Sequence, residues 1–251
     1  MNVPGLVLAS FGGPARWSWG GIPVRLLEHM AYSTLAILLA LVIAVPIGAM
    51  VGHTGRGGFL LVGLANGLRA LPSLGLLILL VIVMRIGLLP VILTLTAVAI
   101  PPLLAGAYAG VHNVDRAVVD AARGMGMREP QVLLRVEMPN ALPLVLSGLR
   151  SAFLQVIATV VVAAYVSFGG LGRYLIDGLR QQDYPQMAEG ALLVAALALT
   201  VEGLLALVQR AVVSPGLRGG ARRVPVADLP RTETDTPAPQ SPAPELAGVE
   251  R

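Results

Sequence analysis

From Met30 through Gly52 the chain carries no charged side chain, and apolar runs of similar length recur four more times along its 251 residues. About 20 apolar residues, at 1.5 Å per helical residue, match a bilayer core of about 30 Å. Charged residues make up only 13% of the chain and hydrophobic residues 55%. A soluble domain carries roughly 25% charged residues, and one this depleted would expose large apolar patches and aggregate. An ordinary soluble enzyme is therefore excluded, and the fold class is an all-α polytopic membrane protein. Cysteine is absent, which removes disulfides, thiolate metal sites and thiol nucleophiles. The net charge of +4 is small and dispersed, so no nucleic-acid partner is expected.

The runs predict five spans at about residues 31–51, 59–84, 91–111, 142–166 and 188–213 within a transmembrane domain covering 31–213. Residues 1–30, interrupted by Arg16 and Arg25, lack the pattern of a secretory signal and read as an extracytoplasmic or interfacial arm. Residues 214–251, rich in Pro, Thr, Ala and Arg, read as a disordered cytoplasmic tail. The second run contains Arg69 and Pro72. Its piece before Arg69 is too short to cross alone, so it reads as one span kinked at Pro72. Pro101-Pro102 marks a second kink, and 167–185 reads as a glycine-rich loop. With five spans, ten arginines, Arg150 among them, fall on the side of segment 112–140 and five on the other. The positive-inside bias then places that segment and the C-terminus in the cytoplasm and the N-terminus outside. Trp17 and Trp19 would sit at the outer interface.

Segment 112–140 is the longest polar stretch between spans. Asp115 suits an N-cap, Val118, Val119 and Ala122 share one helical face, and Gly124 and Gly126 end that helix. Pro130 suits the first turn of a second helix, in which Val132, Leu133 and Val136 form an apolar stripe and which Pro139 stops. Periodicity alone leaves two readings of this elbow equally open: a docking element, or a loop packed on its own bundle. The residues go further. Asp120-Ala121-Ala122, three residues, Gly126, nine residues, then Val136-Glu137-Met138-Pro139 resembles the EAA loop of permease subunits of binding-protein-dependent ABC importers. Asp stands for the family's Glu, Val for Ile and Met for Leu. The resemblance covers about residues 25–213. Leu68–Leu74, Ile100–Gly106 and Ser167-Phe-Gly-Gly-Leu-Gly172 resemble the osmoprotectant branch, whose solutes are glycine betaine, choline and carnitine. Methionine-type permeases share the loop, so methionine or another small solute is the alternative.

The resemblance implies a type I importer permease fold in the cell membrane. Its partners would be a cytoplasmic ABC ATPase dimer, a second permease subunit, identical or related, and an extracytoplasmic substrate-binding protein. Asp120, Ala121, Ala122, Gly126, Val136, Met138 and Pro139 would form the ATPase-coupling elbow. ATP and Mg would bind the partner ATPase, since no phosphate-binding GxxxxGK[ST] occurs here. No HExxH, GxSxG or paired intramembrane Asp supports an enzyme.

Inside the spans, Ser147, Ser151, Gln155 and Thr159 recur every four residues. They form a slowly turning polar stripe that lines a path or packs against another helix. Arg69, beside Pro72, and Glu202 are charges at membrane depth, where charge is costly and marks function or a pair. These residues, with Pro72, are the candidate translocation path. His29, His53 and His112 have no metal-like spacing and read as surface or interface histidines. Aromatic residues are only 4%, too few and too scattered for a quaternary-ammonium cage. Specificity would then rest mainly on the separate binding protein.

Overall fold

A computed structural model describes residues 17–213; residues 1–16 of the expected arm and the whole expected tail, 214–251, lie outside the described residues. The helices are α1 (Ile22–Thr54), α2 (Gly58–Ala70), α3 (Ser73–Met84), α4 (Leu88–His112), α5 (Arg116–Gly124), α6 (Glu129–Val132), α7 (Met138–Val160), α8 (Gly172–Gln181) and α9 (Tyr184–Val212). A π-helical turn, Leu133–Glu137, joins α6 to α7, and a 3₁₀ segment, Val161–Val166, prolongs α7.

Four of these stretches are long and apolar enough to cross a membrane: α1, α4, the continuous helix Glu129–Val166, and α9. The fifth crossing is made in two pieces. α1 and α4 run parallel, because Ala36 meets Thr96 while Gly52 lies against Tyr108 and Val111. The chain between them must therefore return across the bundle, and α2 and α3 do so with an 84° bend between them. The expected kink at Pro72 is thus a break. Leu71 and Pro72 are extended, as the residue before a proline prefers.

α7 runs antiparallel to α4, with Gly110 against Ala141 and Gly106 against Gly148. A methyl at Gly148 would lie 2.7 Å from the Pro102 carbonyl oxygen. In lipid the helices gain little from hydrophobic burial against one another, and this close backbone approach supplies the packing instead. The core gathers where α1, α3, α4 and α7 meet, around Ile37, Ala40, Leu77, Leu95, Leu103, Val156 and Val160. Leu38, Val42, Phe59, Leu60, Ile82 and Leu199 face outward as an apolar belt suited to lipid. Trp17 and Trp19, also exposed, lie at the end of the bundle opposite the elbow, and Val213 ends α9 on the elbow's side.

Three expectations need correction. The first span's helix begins at Ile22, so residues 22–30 of the expected arm are helix, and the two charges in that stretch, Arg25 and Glu28, pair with each other at 3.0 Å. The expected loop 167–185 contains α8, whose Gly172 and Gly178 are packing positions against Val161 and Met187 rather than breaks. Pro139 does not stop a helix. It occupies the first turn of α7, where the wider π turn before it accommodates a ring that would clash in a regular helix. The helix α4 runs on through Pro101 and Pro102, the site of the expected second kink.

Candidate functional site

The elbow is built from local signals. Asp115 Oδ1 accepts from the Ala117 N–H at 2.9 Å and starts α5. Val119, Ala122 and Val132 are buried together, with Val114, Met127 and Val136 packed on them. Gly126 has φ +83°, a left-handed conformation that costs a side-chain-bearing residue about 1–2 kcal/mol. A Cβ there meets nothing within 4 Å in this chain, so the demand for glycine is conformational and its outer side is open. Of the expected coupling residues, Ala122 is buried and Val136 half-buried within the elbow's own apolar cluster, and the half-buried Met138 packs with Ala49, Val111 and Ala141 of the bundle. Asp120, Ala121, Gly126 and Pro139 are exposed, as are Val118 and Met125.

A cluster of charges fastens this elbow to the first span. His53, in the last turn of α1, places Nδ1 2.5 Å from Glu137 Oε2 and Nε2 3.1 Å from Glu129 Oε2. Both ring nitrogens can donate only as the imidazolium. Glu129 also accepts from Arg123 Nε and Nη2 at 2.9 and 3.0 Å, and Arg123 reaches Asp120 Oδ1 at 3.5 Å. The bonded Glu129 carboxylate raises the Arg123 pKa above its ordinary value. Glu137 is only 4% exposed; a buried carboxylate needs such a counter-charge.

Sequence reasoning named neither His53 nor Glu137 as a site residue. The available signal was a carboxylate beside the apolar stripe of Val132, Leu133 and Val136. The surface or interface reading of the histidines is corrected for His29. His53 is clamped between carboxylates, and His29 is fully buried, its Nε2 3.0 Å from the Ile157 carbonyl oxygen. His112 is exposed and stacks on Tyr108, with ring centroids 5.2 Å apart.

The candidate path residues separate into three places. Arg69, Gln155 and Thr159 come together around a cleft of about 220 Å³, joined by Ser73, Leu68, Leu71, Val98 and Pro101. Pro72 caps α3 at its edge. Ser147 and Ser151 are exposed on α7 but lie outside that lining. Glu202 is elsewhere, in an ion pair with Arg150, whose Nη1 also donates to Gln209 Oε1 at 2.7 Å. Arg150 therefore lies inside a span, which lowers the arginine bias to nine against five.

Three comparisons bear on this geometry. A chain of the MetNI methionine ABC transporter, solved in inward-facing conformations, superposes with a TM-score of 0.69 at 21% identity, covering 80% of this chain and 99% of that one. It shows the fold. The glycine betaine/carnitine/choline transport system permease protein OpuCB of Bacillus subtilis is 30% identical over 192 residues, 76% of this chain and 88% of the relative. The carnitine transport permease protein OpuCB of Listeria monocytogenes is 32% identical, covering 71% and 82%. The osmoprotectant import permease protein OsmW of Salmonella typhimurium is 29% identical, covering 76% and 91%. The family model described as "binding-protein-dependent transport system inner membrane component" matches residues 33–219, and this chain belongs to that family.

Proposed function

We propose that this chain is the transmembrane permease subunit of an ATP-driven importer for osmoprotectants: glycine betaine, choline, carnitine or similar quaternary ammonium compounds. The observation that carries the reading is agreement along 88% of a relative named for those solutes, at 30% identity. The likeness to a methionine transporter rests on the fold at 21% identity, which does not reach the substrate.

In this reading the elbow's exposed side, Asp120, Ala121, Gly126 and Pro139, docks on a cytoplasmic ATPase that binds ATP and Mg. Closure of the ATPase dimer draws two elbows together. The spans then rock between inward- and outward-open states, a two-state equilibrium biased by nucleotide. The second half of the path comes from a second permease subunit, identical or related. The exposed polar residues of α7, Ser147, Ser151 and Gln155, support such a face. An extracytoplasmic binding protein delivers the solute to the opposite end. The bias of nine arginines against five supports a cytoplasmic elbow and C-terminus, with the N-terminal end outside.

The test is uptake of radiolabelled glycine betaine in cells with and without this gene, at low and high osmolarity, with unlabelled choline, carnitine and methionine as competitors. Uptake lost on deletion and competed by choline or carnitine is expected; competition by methionine alone would overturn the solute assignment. The chain has no cysteine, so single cysteines report orientation cleanly. One at Gly170 should label from outside and one at Arg128 only from inside.

A further inference from the structure

The cleft between α2, α3, α4 and α7 holds a cation without a described counter-charge. We propose that Arg69 binds the carboxylate of the transported solute, so that this permease selects carboxylate-bearing zwitterions, such as glycine betaine and carnitine, over the cation choline. The assignment rests on the osmoprotectant reading above and narrows it.

Depth comes first. Val98 and Pro101 line the same cleft and sit near the middle of Leu88–His112, so Arg69 is held about halfway across the bundle. A charge there is costly and calls for a partner or a task. Among the described residues Arg69 makes no hydrogen bond or ion pair, and it is not one of those with a further unspecified interaction. Glu202, the acidic residue expected at similar depth, is engaged by Arg150. Arg69 is exposed at the cleft, so a group that enters it can reach the guanidinium.

The lining narrows its chemistry. Beside Arg69 the polar side chains are Ser73, Gln155 and Thr159, all neutral, and the rest are Leu68, Leu71, Val98 and Pro101. Among the described residues lining the cleft there is no carboxylate and no aromatic ring to attract a quaternary ammonium, while a guanidinium matches a carboxylate with two parallel donors. The break at Pro72 adds to this. α3 begins at Ser73, so its first amides, which have no partner within the helix, open at the cleft's edge and contribute partial positive charge. The volume of about 220 Å³ is below that of pockets for drug-sized ligands, about 300–1,000 Å³, as befits a small solute.

The experiment measures uptake of glycine betaine and choline by the complete transporter, with its ATPase and binding protein, carrying wild-type permease, Arg69→Gln, Arg69→Lys or Arg69→Glu at matched membrane levels. The binding protein is common to all, so delivery is constant. Arg69→Gln should lower the ratio of betaine to choline uptake at least about tenfold, the scale of one lost charged hydrogen bond, through loss of betaine. Arg69→Lys should restore part of it, and Arg69→Glu should raise choline uptake. An unchanged ratio, an equal fall in both solutes, or a lysine variant no better than glutamine would overturn the assignment and leave the permease reading intact. A wild type that carries choline but no betaine would overturn the assignment alone. One that carries neither would overturn the osmoprotectant reading, and this proposal with it.

Discussion

His29 and His53 lie near opposite ends of the same helix and are held in opposite ways. His29 is fully buried among backbone groups. Its Nε2 faces the Ile157 carbonyl oxygen at 3.0 Å, and its Nδ1 accepts from the Leu171 N–H at 3.3 Å. One proton on a neutral ring satisfies both. Beside it Glu28 accepts from the Gly170 N–H at 2.8 Å, so the Ser167–Gly172 turn is stitched to α1 mainly through main-chain groups. His53 instead faces two carboxylates, and the outer members of its cluster, Arg123, Glu129 and Asp120, are exposed. At the far end the His29 bonds are buried, and the half-exposed Glu28 beside them pairs with Arg25 of its own helix. The elbow is fastened by charges, an attachment open to competition from another protein's charges.

The sharpest way to break this contrast is His53→Ala. It strands Glu137 in a buried site without its counter-charge, a change that costs about 3–5 kcal/mol. Hydrogen exchange at Ala122 and Val132 should accelerate and uptake should be lost. Adding Glu137→Leu should recover most of the stability, because an apolar replacement removes the stranded charge. Continued protection of those amides in His53→Ala would show that the clamp does not hold the elbow.

His29→Ala should cost less, about 1–3 kcal/mol for the carbonyl and amide left unpaired. Faster exchange should appear at Leu171 and not at Val132. Acceleration at both would mean the two ends are not independent.

Gly126→Ala should cost about 1–2 kcal/mol through its positive φ, read as a lowered thermal midpoint of the purified protein. Gly126→Asn tolerates that conformation better and separates two causes. If Asn restores stability but not uptake, the open side of Gly126 is a docking face; if it restores both, the requirement is the turn alone. The smallest effect belongs to Arg123→Gln at the exposed edge of the cluster, where uptake should change by no more than about twofold.

The contrast also marks where sequence reasoning reached and where it stopped. The elbow was legible because its signals are local: Asp115 as cap, Gly126 as a positive-φ turn and Pro130 in a first turn all act within a few residues. α8 was missed because Gly169, Gly170, Gly172 and Gly178 look like breaks in a list of letters. Gly172 and Gly178 are instead packing positions, set by Val161 and Met187. Pro139 was read as a stop because a proline ends a regular helix, and the π turn before it is not a regular helix. Arg69, Gln155 and Thr159 were picked out singly, as polar groups in apolar runs, yet nothing in their spacing said that they share a cleft while Glu202 does not.

What the sequence alone determined is the number of crossings, the membrane as solvent and the elbow between the third and fourth spans, since hydrophobic run length and turn chemistry are read over a few to about twenty residues. Only the tertiary structure decided which polar groups meet. His53 and Glu137 are 84 residues apart and Arg150 and Glu202 are 52 apart. Their pairing depends on the axial register of packed helices, which glycines such as Gly52, Gly106 and Gly148 set by letting backbones touch, and no local pattern encodes it.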